Sequence, residues 1–298
     1  MKTCLTIAGS DPSGGAGIQA DLKTFAANGV YGMSVITALT AQNTTGVRDI
    51  YNVPAEFVRE QLECVFEDIP PDAVKIGMQG DTESIRVICD ALTLYKNKTM
   101  SVAAGQDHNT MNIVIDPVMV STSGHDLIDE ASYKVLCECL LPVADVITPN
   151  IPEAGKLSGV CIRSEDDMLE SARRMRDIFG CAVLVKGGHA IPGKNDELLQ
   201  TAVSGDTSQS VDLLLLKDGD LPVLFEADRI DNPNTHGTGC TLSSAVAAFL
   251  ARGESIESAV GKAKDYVTGA IRAGLDLGHG RGPLDHIYRI KNIPPNKC

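Results

Sequence analysis

No run of lysine or arginine occurs anywhere in the 298 residues, and acids outnumber bases 39 to 26, for a formal net charge of −13. Such a surface repels phosphate backbones and anionic lipid, which argues against nucleic-acid and membrane partners. Long hydrophobic runs are missing too. The opening MKTCLTIAGSD is too brief an apolar stretch for a spanning helix and too soon interrupted for a secretory leader, so a cytoplasmic protein is expected. There is no CxxC pair, and Cys137 and Cys139 are spaced CxC with no histidine beside them, so structural zinc is not expected. The nine cysteines are an odd count, and Cys64, Cys89, Cys137, Cys161 and Cys181 fall in patterned apolar segments as small core residues do. No internal repeat is visible. At 43% hydrophobic and 22% charged the composition is that of an ordinary folded chain, neither disordered nor fibrous.

Short β-rich runs alternate with amphipathic helical stretches throughout. Strands are expected at 3–8, 33–41, 73–77, 112–116, 144–148 and 181–186, and helices at 16–28, 55–67, 82–95, 129–140 and 164–179. That alternation predicts an α/β fold with a mostly parallel sheet. Two further strands, 210–216 and 221–226, flank a KDGD turn and read as an edge hairpin. Helices 238–251 and 255–274 follow, the first rich in alanine and serine and so able to pack closely. Segments 96–111 and 190–209 are polar and aperiodic and read as surface loops inserted into a single domain spanning 1–298.

Three glycine clusters stand out. In the first, Gly15-x-Gly17-x-x-Ala20 matches a loose dinucleotide fingerprint between strand and helix. That reading also needs an acid at the end of the second strand, which ends instead in Ala41-Gln42-Asn43-Thr44, with no carboxylate before Asp49. Asp11 and Asp21 then stand where a polar substrate could reach them. The second cluster, Gly188-x-x-x-x-Gly193-Lys194-Asn195, lacks the Ser/Thr of a phosphate-binding P-loop and no helix follows it, so it reads as a turn. The third, Asn234-Thr235-His236-Gly237-Thr238-Gly239-Cys240-Thr241, runs straight into a helix. Converging N–H groups and the helix dipole would make an anion site there, and would lower the pKa of Cys240; a tight turn with Cys240 as a small buried residue reads the segment equally well. Asp116, Asn150 with Glu153, and Lys186 close three successive strands, where open α/β sheets place their ligands. Acids and amides for a metal and its waters, with lysine for phosphate charge, suit a magnesium nucleotide, and phosphoryl transfer is the best reading of the set.

Together Ala8-Gly9-Ser10-Asp11, Ser13 to Asp21, Gln42-Asn43-Thr44, Lys75-Ile76-Gly77-Met78, Asp116-Pro117-Val118-Met119, Thr148-Pro149-Asn150, Lys186-Gly187-Gly188-His189 and His236 to Cys240 resemble, in order, the signature of hydroxymethylpyrimidine/phosphomethylpyrimidine kinases of thiamine biosynthesis. The resemblance runs from about residue 3 to Gly282-Pro283. It implies a ribokinase-like three-layer α/β/α sandwich and ATP-dependent phosphorylation of 4-amino-5-hydroxymethyl-2-methylpyrimidine, then of its monophosphate. By the same resemblance the pyrimidine pocket falls on Gly9, Asp21, Gln42, Met78 and Val118, and an anion hole on Gly237, Thr238, Gly239 and Cys240, with Cys240 as base. Asn150, Lys186, Gly188, Thr238 and Lys264 would face ATP, and Asp116 and Glu153 would hold magnesium through water. A pyridoxal kinase of the same superfamily is the alternative enzyme, because both substrates are hydroxymethylated heteroaromatic rings that a pocket separates by only about 1–3 kcal/mol. A vitamin-binding sensor is the non-enzymatic alternative. Relatives in the superfamily are often dimers, so a homodimer is expected.

Overall fold

The computed structural model describes residues 1–103, 111–119, 127–188 and 209–291. Strands follow in the order β1 (Thr3–Ala8), β2 (Tyr31–Ile36), β3 (Ala38–Asn43), β4 (Gly46–Asn52), β5 (Ala73–Ile76), β6 (Asn112–Ile115), β7 (Val146–Ile147), β8 (Ala182–Val185), β9 (Gln209–Leu215) and β10 (Val223–Asp228). Eight of them form one sheet ordered β10-β9-β8-β7-β6-β5-β1-β2. From β2 to β8 the pairing is parallel; β9 and β10 add the expected antiparallel edge hairpin.

The helices are α1 (Gly17–Ala27), α2 (Ala55–Asp68), α3 (Thr82–Ala103), α4 (Glu130–Val135), α5 (Ile151–Ser158), α6 (Glu165–Phe179), α7 (Thr238–Ala251), α8 (Ile256–Ala273) and the short α9 (Tyr288–Lys291). Strand residues are apolar on both pleat faces, so both faces must be covered. Ile113 and Ile115 pack with Val183, Val185, Leu213 and Leu215 under α2, α3 and α6. Their neighbours Val114, Ala182 and Leu214 point the other way, onto α7 and α8. Small strand residues on that side, Cys4, Ala73 and Ala182 among them, let the Ala/Ser-rich α7 press close; it is buried from Thr241 to Ala251. The result is the α/β/α sandwich. Among the described residues no helix is long and apolar enough to cross a membrane.

Four local expectations need correction. The strand expected at 33–41 breaks at Thr37, whose N–H bonds Ala8 O and whose hydroxyl bonds Met78 O. The chain then peels off the main sheet as the separate β3–β4 hairpin. Helix α3 continues to Ala103 instead of ending at 95, since no glycine or proline interrupts it before Gly105; residues 104–110 lie outside the described part, as does all of the second polar segment except Gln209. The helix expected at 129–140 keeps α-geometry only to Val135, then passes into a π-turn at Leu136–Leu140. Helix α5 was not expected at all, although Asn150 and Glu153 form a capping box with Pro152 in the first turn and Gly159 ends it in the left-handed region.

Successive connections leave β1 toward β2 and β5 toward β6 in opposite directions, so the sheet reverses its order between β1 and β5. Crevices for ligands open at such points. Beneath this one lies a polar knot. Lys75 of β5 and Asp21 of α1 are fully buried and paired at 2.9 Å. Thr6 of β1 donates to Asp21 Oδ2 (2.6 Å) and Ser244 of α7 to Asp21 Oδ1 (2.6 Å). Burial alone would lower the Lys75 pKa, but Asp21, Cys240 and Asp116 raise it, so the ammonium stays charged. Removing one partner strands the other charge: Lys75→Met is expected to cost about 3–5 kcal/mol in urea unfolding. Lys75→Met/Asp21→Asn should lose less than the two single changes summed, and strictly additive losses would contradict the pairing.

Candidate active site

The first and third glycine clusters lie against each other at the mouth of the crevice. Gly237 is the N-cap residue of α7 and sits in the left-handed region (φ 82°); a Cβ there would collide with the Gly15 carbonyl oxygen, and a Cβ on Gly15 would strike the His236 ring. Close approach of two backbones therefore demands both glycines. Asp11 locks the clasp. Its carboxylate accepts the N–H groups of Ser13 (2.9 Å), Gly15 (3.2 Å) and Ala16 (2.9 Å), the Ser13 hydroxyl (2.7 Å), and lies 2.8 Å from His236 Nε2. Burial would raise its pKa, but the His236 and Ser13 contacts outweigh that and hold it near 2. Asp11 is thus committed to the loop and does not reach out to a substrate.

Helix α7 starts without a side-chain cap. Its first-turn N–H groups have no intrahelical partners, and the helix dipole adds partial positive charge there. Thr238 turns both its hydroxyl (2.7 Å) and its N–H (3.3 Å) back onto the Thr235 carbonyl, leaving the N–H groups of Gly239 and Cys240 to form the cradle. The expectation of a lowered Cys240 pKa does not hold. Burial raises it, and Asp21 and Asp116 add to the effect; Lys75 and the Gly17 N–H offset it only in part. In the low-dielectric floor of the cleft, desolvation of a thiolate outweighs the helix terminus.

One side of the α7 start faces an ion pair. Lys186 Nζ donates to Asp116 Oδ1 at 2.6 Å, both groups being buried, and Thr148 adds a hydroxyl to the same oxygen at 3.2 Å. A Cβ on Gly239 would lie 3.3 Å from Lys186 Nζ and 3.5 Å from Asp116 Oδ2, so this pair and the cradle share one wall. Asp116 and Glu153 hold the lysine charged against its burial. Glu153 is itself raised well above a carboxylate's usual range, by burial and then by Asp116. Its Oε2 accepts the Asn150 N–H (2.8 Å), and Asn150 Oδ1 accepts the Glu153 N–H (2.9 Å). Both residues therefore serve first to start α5, a use that strand-end position alone did not reveal. Among the described residues no three His, Cys, Asp or Glu side chains gather as a metal cluster. Asp116 Oδ2, on the Gly239 side, still fits a magnesium ion, which takes one or two carboxylates and completes its shell with water and phosphate oxygens.

The opposite wall gathers part of the expected pocket. Met78 lays its sulfur over Gly9, where a Cβ would sit 3.1 Å away. The β3–β4 hairpin leans over the N-terminal loop through Thr40 Oγ1 to Ser10 O (2.8 Å), and carries Gln42 to within 3.3 Å of His236 Nε2. Val118, partly buried, follows Asp116 in a tight turn that bonds its N–H to the Asp116 carbonyl (2.8 Å). Asp21 is not among them. It lies fully buried below the cleft floor, both oxygens taken by the knot, and cannot contact a ring in the pocket. Lys264 also turns inward, bonding Asp212 Oδ2 (2.7 Å) and Ser210, so its ammonium is directed at β9. Gly188 packs near Ser210, where a Cβ would lie 3.0 Å from its hydroxyl, and His189 falls outside the described residues. Sequence reading set Lys75 in a motif without a role and left Asp212 unremarked, yet each is a charge inside an apolar strand, AVKI and SVDLLL, which signals a buried partner.

The chain is similar to known proteins over most of its length. The family model described as phosphomethylpyrimidine kinase matches residues 11–285. The thiamine biosynthesis bifunctional protein ThiED of Geobacter sulfurreducens is 46% identical over 97% of this chain, which spans 53% of that longer protein. A hydroxymethylpyrimidine/phosphomethylpyrimidine kinase of Haemophilus influenzae is 43% identical, over 96% of this chain and 97% of its own. Among solved structures, phosphomethylpyrimidine kinase from Clostridium difficile superposes with a TM-score of 0.72 at 42% identity, covering 91% of this chain and 100% of that one. Pyridoxal kinase from Staphylococcus aureus, in complex with AMP-PCP and pyridoxal, gives 0.79 at 34%, covering 97% and 95%. With its glycine clasp, its uncapped α7 start and the Lys186–Asp116 pair beyond the ends of β6 and β8, this chain belongs to the phosphomethylpyrimidine kinase family.

Proposed function

We propose that the protein transfers the γ-phosphoryl group of ATP to 4-amino-5-hydroxymethyl-2-methylpyrimidine and then to its monophosphate, in thiamine biosynthesis, as one kinase domain. The observation that carries this reading is the uncapped start of α7, which includes Cys240 and faces the Lys186–Asp116 pair. Phosphoryl transfer needs positioning and charge stabilisation more than covalent chemistry, and that cradle supplies both. The pyrimidine rests against Gly9 and Met78, with Gln42 and Val118 at its rim. Lys186 meets the nucleotide phosphates, Gly188 leaves room for them, and Asn150 offers the NH2 group its cap does not use. Asp116, with Glu153 behind it, would hold a magnesium ion through water, which would neutralise charge on the phosphates.

Cys240 accepts the hydroxymethyl proton. Because its thiol titrates above the ordinary range, the basic form is scarce at neutral pH. The proton then leaves late, in keeping with a loose transition state that asks little of the nucleophile's base. The second transfer starts from an anionic phosphate and needs no such acceptor. A cytoplasmic setting goes with ATP as donor. Leu39 and Tyr51, cross-strand partners on the β3–β4 hairpin, are 47% and 65% exposed, and this apolar face supports a second copy of the chain as partner.

A coupled assay of ATP consumption with hydroxymethylpyrimidine, its monophosphate and pyridoxal tests the reading. The two pyrimidines should be used in preference to pyridoxal; a preference for pyridoxal would select the vitamin B6 alternative, and binding without turnover the sensor. Cys240→Ala should slow the hydroxymethyl substrate about 100-fold and its monophosphate far less. In the wild type, kcat/KM for the hydroxymethyl substrate should climb from pH 7 to 9 as the thiolate forms, and Cys240→Ala should flatten that rise. Equal losses on both substrates would remove Cys240 as base. Asp116→Asn should shift the magnesium titration several-fold upward, whereas an unchanged titration would count against a metal role.

A further inference from the structure

Asp212 and Lys264 form a third buried ion pair, away from the cradle, that the phosphoryl-transfer scheme does not use. Burying a pair contributes little net stability over apolar packing of similar volume. Its placement suggests another use. Strands β8 and β9 pair through Val185 and Leu213, where the ladder ends. One residue on, Asp212 Oδ1 accepts the Gly187 N–H at 2.8 Å, so a side chain takes the place of the next main-chain rung. A Cβ on Gly187 would collide with the Val211 carbonyl, which shows how close the two backbones run. From the other side Pro149 O accepts the Lys186 N–H at 2.9 Å. The corner Lys186–Gly188 is therefore held between the ends of β7 and β9, and that hold aims Lys186 Nζ at Asp116. Lys264 of α8 braces the carboxylate through Oδ2 (2.7 Å) and is itself fixed by the Ser210 hydroxyl (3.1 Å) and carbonyl (3.2 Å).

We propose that Asp212 is a positioning residue for the nucleotide-facing corner Lys186–Gly188, and that Lys264 acts through it instead of touching adenine. The inference rests on the kinase reading above, and it makes ATP, not the pyrimidine, the ligand that feels the pair. Asp212→Ala should raise KM for ATP about 10-fold, the loss of one charge-assisted hydrogen bond, with KM for the pyrimidine unchanged. Asp212→Asn keeps an oxygen for the Gly187 N–H and should bring KM for ATP back to within about threefold of wild type. Lys264→Met, which leaves the carboxylate unbraced, should raise it several-fold. Calorimetric titration with AMP-PCP in the absence of any pyrimidine should show the same order of affinities. An ATP KM within twofold of wild type in Asp212→Ala, or both substrates' KM rising together, overturns the proposal. Should Asp212→Ala fail to fold, Lys264→Met with unchanged AMP-PCP affinity overturns it alone. Wild-type protein that turned over no ATP would instead sink the kinase reading, and the calorimetry separates the two failures.

Discussion

Lys75 carries a positive charge in the interior between two strands and two helices, and Asp21 is the reason it can. The carboxylate it meets also gathers hydroxyls from β1 and α7, so four elements converge on one group. An isolated ion at that depth would be prohibitive, and a partly satisfied network would be worse than an apolar core. Full satisfaction turns the same chemistry into a positional constraint: α7 can approach the sheet only where Ser244 meets Asp21. The start of α7, Thr238, less than two turns before Ser244, is thereby set over the crevice between β1 and β5.

Above the knot, the clasp between Gly15 and Gly237 does for backbone what the knot does for charge. Two chain segments more than 200 residues apart touch through main-chain atoms, with Asp11 and His236 tying them side chain to side chain. The glycines thus serve the fold first, and the position of the α7 start follows from the clasp. The Lys186–Asp116 pair closes the remaining side. Two ion pairs, Lys75–Asp21 beneath the cleft floor and Lys186–Asp116 on its wall, thus flank the Asp11–His236 contact.

Much of this was legible in the sequence, and the exceptions share a cause. Periodicity located the parallel strands and the flanking helices because burial on both faces leaves apolar runs no other reading. It missed the break at Thr37, since TALTAQN continues the β-pattern while the chain changes sheets, and only contacts to Ala8 and Met78 mark the bend. It missed α5 because a two-turn helix is too short to show a period, although its capping box was written in Asn150 and Glu153. Position at strand ends drew attention to Asp116 and Lys186, which the fold brings together as a buried pair. Asp21 was placed at the substrate by its position in the first helical turn and by the resemblance, yet a first-turn residue on a helix can point either to the cleft or beneath it; the neighbouring lysine on β5 decided the matter. For Cys240, the helix terminus suggested an acidic thiol, but depth of burial is a tertiary quantity that no local motif encodes.

On the proposed kinase reading, the main-chain N–H groups of Gly239 and Cys240 at the start of α7 receive the transferred phosphoryl group. The most direct measurement is the amide nitrogen and proton shifts of Gly239 and Cys240 when hydroxymethylpyrimidine, magnesium, ADP and aluminium fluoride, a planar phosphoryl mimic, are added to the labelled protein. Strong downfield movement of both amide protons, beyond that produced by ADP and magnesium alone, is the predicted result. Unmoved Gly239 and Cys240 amides in a complex whose Lys186–Gly188 signals do respond would contradict it.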